Sequence, residues 1–197
     1  MKHLMRLASL LVLALTLSAC SDNVTGSLTQ PDNTTVSKTD LLVPGELSPE
    51  EAEGIILMRQ EEKAARDIYI VLGQTWNLGI FENIAAAEQK HMDAMKRLID
   101  RYALEDPVVS DEVGVFSNPV FQQMFDDFTA QGQLSIPEAY LAGQTVELQD
   151  IAALEDQLAF VDNTDLIQVY TKLKEASLKH YDAFLIHITT SSSNFNQ

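Results

Sequence analysis

The chain has 197 residues, 46% of them apolar, which is enough for one domain with a real core and little more. Thirteen Lys and Arg stand against 29 Asp and Glu, a formal charge of −16. That balance leaves no basic patch to neutralise phosphates and argues against nucleic acid as a partner, while an acidic surface attracts cations without by itself defining a site.

The N-terminus reads as a targeting segment. Lys2, His3 and Arg6 form a basic head ahead of the apolar run Leu7 to Leu17, which is too short to span a bilayer comfortably. The only cysteine, Cys20, follows Leu17-Ser18-Ala19, and this looks like a bacterial lipobox. The resemblance implies a lipoprotein signal peptide at 1–19, cleavage before Cys20 and lipid on its sulfur. The expected location is the cell envelope, on the outer membrane facing the periplasm where the cell has one. Residues 20–46 are rich in Ser, Thr, Asn, Asp and Pro without an apolar period and read as a disordered tether. The folded domain is expected over 47–190. Polar composition from Thr189 onward predicts fraying, with a flexible tail at 191–197.

Ser48-Pro49-Glu50-Glu51 opens the first helix, with Ser as N-cap, Pro at the first position and Glu at the third. Asn77-Leu78-Gly79 supplies its stop. Two inner stripes compete along it. One is Ile55, Met58, Glu62, Ala65, Tyr69, Leu72 and Trp76; the other is Leu57, Glu61, Ala64, Ile68, Val71 and Thr75. The larger residues of the first favour Glu62 over Glu61 as the buried acid and leave both open. Glu61 and Lys63 are expected on solvated faces, and Arg59 or Arg66 is an alternative partner for a buried Glu.

The second helix carries Phe81, Ile84, Glu88, His91, Met95, Leu98 and Tyr102 on one stripe. A charged group in the middle of such a stripe is costly to bury unless it is paired or bound to a metal. A long connection from Ala103 to Leu134 follows. It holds a short amphipathic helix capped by Asn118-Pro119, with Phe121, Met124, Phe125 and Phe128 on its apolar side and Gly132 closing it.

Ser135-Ile136-Pro137-Glu138 starts the third long helix, whose inner stripe runs Ile136, Tyr140, Gly143, Glu147, then Asp150 or Ile151, Leu154, Leu158 and Val161. Asp162-Asn163 makes the turn. The fourth long helix shows Leu166, Tyr170, Leu173, Ser177, His180, Phe184 and His187, and His187 is expected to be structural.

The polar interruptions fall at matching heights. Glu62 lies 15 residues before Asn77, with Glu88 and His91 11 and 14 after it. Glu147, Ser177 and His180 are likewise balanced about the Asp162–Asn163 turn. Both hairpins therefore bring their polar residues to comparable heights, about 17–26 Å from their turns at roughly 1.5 Å per residue. Glu62, Glu88, His91, Glu147 and His180 together point to a metal site.

At these residues the chain resembles the ferritin-like superfamily, in particular rubrerythrin-related domains and a bacterial domain family of unknown function. Glu62-Lys63-Ala64-Ala65-Arg66-Asp67-Ile68-Tyr69 is similar to the rubrerythrin pattern of Glu, Ala-Arg and Tyr, which prefers Glu62 over Glu61. Ile84-Ala85-Ala86-Ala87-Glu88-Gln89-Lys90-His91 is similar to its Glu-x-x-His helix. The resemblance implies an all-α fold, a ferritin-like four-helix bundle with a long crossover containing a short extra helix. It also implies a carboxylate-bridged di-iron or related centre. One position departs from the pattern: Ser177 stands where a second Glu-x-x-His would place its Glu, and Asp150, one turn from Glu147, is the candidate for the missing acid.

Mixed carboxylate and imidazole ligands suit iron or manganese, with zinc also compatible. The implied activity is oxidation of ferrous iron with oxygen or peroxide. The competing reading is a non-enzymatic bundle that holds a metal or presents a surface to another envelope protein. Expected partners are a metal ion and, through the N-terminal lipid, a membrane; a homodimer is left open.

Overall fold

The computed structural model describes residues 45–194, with side chains through residue 190. The signal peptide, Cys20 and nearly all of the tether expected at 20–46 lie outside the described residues. Five α-helices follow one another and no strand occurs among the described residues: α1 (Pro49–Trp76), α2 (Gly79–Arg101), α3 (Pro119–Gly132), α4 (Ile136–Leu158) and α5 (Thr164–Asn194). None is long and apolar enough to cross a membrane.

The boundaries follow local chemistry. At the start of α1 the Ser48 side chain accepts from the Glu51 amide while the Glu51 carboxylate accepts from the Ser48 amide at 2.9 Å, a reciprocal capping box. Its end is closed by Asn77 in the left-handed region (φ 51°), whose amide donates to the Gly73 carbonyl. Asn118 and Ser135 cap α3 and α4 through their side chains. At the other end, α5 runs through to Asn194, beyond the point at Thr189 where polar composition predicts fraying. Thr189 and Thr190 continue the helix by donating their hydroxyls back to the Leu185 and Ile186 carbonyls.

The register of the long helices decides what meets in the interior. Two residues separate α1 from α2, so the pair runs antiparallel: the Arg59 guanidinium donates to the Met92 carbonyl at 2.9 Å, and Glu62 sits against His91. Along α4 and α5 the pairs Tyr140–His187, Gly143–Phe184, Glu147–His180 and Asp150–Ser177 step three, four and three residues down one helix and up the other. A Cβ on Gly143 would lie 2.6 Å from the Phe184 ring, so only glycine lets that ring close against α4. Helices α1 and α2 pack on each other, as do α4 and α5; α1 also meets α4, and α2 meets α5, contacts consistent with a four-helix bundle. The short helix α3 rests on α1 and α4.

Two apolar clusters fill the interior. One gathers Tyr69, Leu72, Phe81, Tyr140 and Phe184; the other gathers Met58, Met95, Leu98, Leu154, Tyr170 and Leu173. On every long helix the residues between the clusters are polar: Glu62 on α1, Glu88 and His91 on α2, Glu147 and Asp150 on α4, Ser177 and His180 on α5.

The connection between α2 and α3 lies on the outer side of α1, and this overturns the expectation that Lys63 is solvated. Lys63 is 1% exposed. Its ammonium donates to Asp67 at 2.5 Å and to the Glu112 carbonyl at 2.9 Å, and lies 4.2 Å from the centroid of the Phe116 ring. Fully buried Asp67 also accepts from Arg66 and from the Gly114 amide, while Arg66 reaches Asp111 and Arg59 reaches Asp106. The sequence pattern of α1 shows which residues are charged but not that a loop supplies their partners. Arg59 and Arg66 are thereby committed outward and neither neutralises Glu62.

Glu51 ties this framework together, because its second carboxylate oxygen accepts from the Asn163 amide at the α4–α5 turn. Burial raises its carboxyl, but the Ser48 and Asn163 amides outweigh that and hold it below the ordinary value of 4.5. A folded-state pKa below the unfolded one stabilises the protein above the ordinary carboxylate range, and that contribution disappears as pH falls through the lowered value. Glu51→Ala is therefore expected to cost about 1–2 kcal/mol at neutral pH by denaturant unfolding, with wild type and variant converging in acid.

Candidate metal centre

Glu88 occupies the middle of the polar layer. One of its carboxylate oxygens lies 2.7 Å from Nδ1 of His91, one helical turn along α2, and the other lies 2.8 Å from Nδ1 of His180 on α5. Glu62 from α1 approaches His91 Nδ1 at 3.2 Å, and Glu147 from α4 approaches His180 Nδ1 at 3.5 Å. Two triads result, Glu62–Glu88–His91 and Glu88–Glu147–His180, each with its ligand atoms within 4.8 Å of one another and with Glu88 common to both. The two imidazoles lie nearly parallel, ring centroids 5.8 Å apart.

These separations fit a shared cation. Ligand atoms bound at 2.1 Å and placed at right angles around one ion are about 3 Å apart. Glu88 Oε1 and His180 Nδ1 approach to 2.8 Å yet are not aligned for a hydrogen bond, and both atoms are buried without a hydrogen-bond partner, as are Glu62 Oε1 and Asp150 Oδ1. Orphaned polar atoms are rare in protein interiors and ask for an explanation. Four of them converging on one layer, each a competent ligand, fit a bound metal. So does the charge balance: four buried carboxylates match two divalent cations, whereas two imidazolium ions offset only half.

Further contacts hold the carboxylates in place. Buried Tyr69 donates its hydroxyl to Glu147 at 2.7 Å, also lying 3.2 Å from the Gly143 carbonyl. Ser177 donates to Asp150 at 2.6 Å. Glu61, expected on a solvated face, is instead half-buried on the flank of Asp150; burial, then the Asp150 charge, pushes its carboxyl well up. His187 stacks on Tyr140, 4.9 Å between centroids, away from the cluster.

The electrostatics are those of a crowded acid cluster. Burial raises Glu88, but its contacts with His180 and His91 win and bring it down to about 2. Burial and the neighbouring charge of Glu88 raise Glu147 to about 8; burial raises Asp150 to about 7, against the Ser177 hydrogen bond. Glu62 is pushed well up by burial and by Asp150. Burial lowers both histidines, but Glu62 and Glu88 lift His91 to about 11, and Glu147 and Glu88 lift His180 to about 9. A neutral Glu62 and a carboxylate that charges His91 are opposing demands, because four such close acids cannot all ionise. Their common consequence is that the cluster holds protons at neutral pH when no cation is bound.

Of the six residues expected to contribute to a metal site, the two triads bring together five, and Asp150 stands outside both. Glu62 and Glu88 sit with His91, Glu147 and Glu88 sit with His180, and Asp150 reaches the layer through Ser177. Tyr69 and Glu61 are the additions. Tyr69 was visible as the next large residue on the Glu62 stripe, two turns along. Glu61 lay on the competing stripe.

The fold and this layer define an all-helical protein with a buried carboxylate–imidazole cluster at mid-height. Residues 51–197 match the model of the uncharacterized protein domain DUF2202, and the chain belongs to that family. It is 44% identical over 149 residues to the uncharacterized protein MJ0754 of Methanocaldococcus jannaschii, covering 76% of this chain and 80% of that one. The crystal structure of the hypothetical protein MJ0754 from Methanococcus jannaschii is similar with a TM-score of 0.74 at 43% identity, over 75% of this chain and 85% of that chain.

A histidine must be neutral to ligate, so a cation that takes Nδ1 of His91 and His180 displaces their protons. Calorimetric titration with Zn²⁺ at pH 7 in buffers of different ionisation enthalpy should show release of more than two protons per chain, those of the two imidazoles together with those that the raised carboxyls of Glu62 and Glu147 hold. Apparent affinity should fall as pH drops.

Proposed function

We propose that this chain is an envelope-anchored, ferritin-like metalloprotein that binds a pair of divalent cations, iron in the first instance, in the layer centred on Glu88. The reading extends to oxidation of ferrous iron by oxygen or peroxide. The observation that carries it is the division of Glu88: one oxygen against each histidine, with a separate carboxylate completing each triad.

Glu62, Glu88 and His91 would hold one cation, and Glu88, Glu147 and His180 the other, an oxygen-rich donor set with one imidazole each that suits iron or manganese. Iron held there supplies one-electron exchange between its ferrous and ferric states. The protein's own contribution is orientation and exclusion. Tyr69 fixes Glu147 by donating to Oε1, leaving Oε2 toward His180. The aromatic cluster on one side and the Met- and Leu-rich cluster on the other keep water from the layer along the helix axes. His91 and His180 are its more accessible edge, their side chains 10% and 14% exposed against 1–2% for the three glutamates.

Anaerobic addition of ferrous iron to the purified full chain should titrate two ions, and subsequent oxygen or peroxide should oxidise them faster than buffer alone does. His91→Ala and Glu88→Gln should keep the helical circular dichroism signal while losing roughly 10–100-fold in iron affinity. Wild-type protein that neither retains iron nor accelerates its oxidation would sink the reading; manganese or zinc retained in its place would redirect it to another metal. The anchor is tested separately: Cys20→Ser should move the protein from a detergent-extracted membrane fraction to the soluble one, and unchanged fractionation would remove the lipid from the proposal.

A further inference from the structure

The departure at Ser177 has a structural answer. On α5 the residue three before His180 is a serine rather than a carboxylate, and it is fully buried. Its single hydroxyl hydrogen is directed at Asp150 Oδ2, 2.6 Å away, with the Leu173 carbonyl the more distant neighbour at 3.1 Å. Asp150 is 4% exposed, and its other oxygen, Oδ1, is buried with no partner at all. A carboxylate held by one oxygen with the other left bare is the arrangement of an oriented ligand rather than of a satisfied core acid. The register supports this: Glu147 and Asp150 are three apart on α4, opposite His180 and Ser177 on α5, so Asp150 enters the layer at the height the serine leaves empty of charge.

Resting on the two-cation reading, we propose that Asp150 is a ligand on the His91 side of the centre and that Ser177 is the residue that positions it. The acid missing from α5 is thus supplied across the helix interface from α4. The two cation positions become unequal, one served by Glu62, Glu88, His91 and Asp150, the other by Glu88, Glu147 and His180. The side is assigned by height: from Glu147 to Asp150 helix α4 steps toward Leu154, and from Glu88 to His91 helix α2 steps toward Met95, both in the Met- and Leu-rich cluster, whereas from Ser177 to His180 helix α5 steps toward Phe184 in the aromatic one. A position with three carboxylates binds a hard divalent cation more tightly than one with two, so the His91 side fills first.

The test uses Co²⁺ as the probe on the purified full chain, following its visible absorption during titration and cobalt per chain after gel filtration. Wild type should bind two ions in two resolved steps. Asp150→Asn keeps the shape and the acceptor for Ser177 but is a poor ligand; it should weaken the first step at least about tenfold and spare the second. His91→Ala marks that first step and His180→Ala the second. Ser177→Ala should weaken the first step by a smaller factor, and Ser177→Thr, which keeps the hydroxyl, should restore it. A purely structural serine would change the melting temperature of the cobalt-free protein without singling out one step. Both steps at wild-type affinity in Asp150→Asn overturn the ligand assignment, and weakening of the second step alone overturns the side. Ser177→Ala with an unaltered first step overturns the positioning role. Should Asp150→Asn fail to fold, the Ser177→Ala and Ser177→Thr pair decides. A wild-type chain that takes up no cobalt overturns the two-cation reading itself, an outcome distinct from any change among variants.

Discussion

A carboxylate at the centre of a helical interior sets the terms for everything around it. Glu88 is buried, and it keeps its charge only because each oxygen faces an imidazole nitrogen. Those imidazoles in turn face Glu62 and Glu147, and beyond them stand Tyr69, Asp150 and Ser177. Desolvating several charges in one layer costs far more than their mutual attraction returns unless each finds a partner. The helices must therefore be held in the one register that brings these partners together. The constant step of the α4–α5 pairs and the short α1–α2 turn provide that register, and the apolar clusters above and below keep the layer dry.

Keeping the layer's charge separate from the rest of the molecule is a second requirement, and α1 meets it. Its stretch from Glu62 to Tyr69 is buried on every side, yet four of its residues carry formal charge. Glu62 faces inward, while Lys63, Arg66 and Asp67 face the α2–α3 connection and satisfy one another there. Were Arg66 or Arg59 free to swing toward Glu62, the inner layer would gain a cationic side chain of its own. The loop's carboxylates at Asp106 and Asp111 draw those side chains outward, as its Glu112 carbonyl draws Lys63. The crossover is thus part of the electrostatic design of the site as well as a connection between helices.

Much of this was legible in the sequence because it is periodic. Glu62, Glu88, His91, Glu147 and His180 each interrupt an apolar stripe at helical spacing, and comparable distances from two turns place them at comparable heights. The helix starts were equally legible, since Ser48-Pro49 and Ser135-Ile136-Pro137 are local cap chemistry. What was hidden depends on contacts between segments remote in the chain. Lys63 reads as a surface lysine until a loop some fifty residues on covers it. Glu61 reads as solvated because nothing in its own stripe shows that the remote Asp150 charge acts on it. The end of α5 was obscured for a different reason: threonines look like helix breakers by composition, yet those at 189 and 190 satisfy their hydroxyls within the helix they extend.

Ser177 shows how the two kinds of information combine. As a letter in a pattern it is a defect, a ligand position without a ligand. In three dimensions the same residue is a donor aimed at the one acid on the facing helix that has an oxygen to spare. A serine there contributes no charge, and the carboxylate at its side comes from α4 instead. The number of acids a buried cation centre needs is set by charge balance, whereas the helix that supplies each one is set only by reach. Neighbouring antiparallel helices in fixed register put residues 150 and 177 within reach of each other, so the acid can be moved from one to the other while the hydroxyl left behind keeps it aimed.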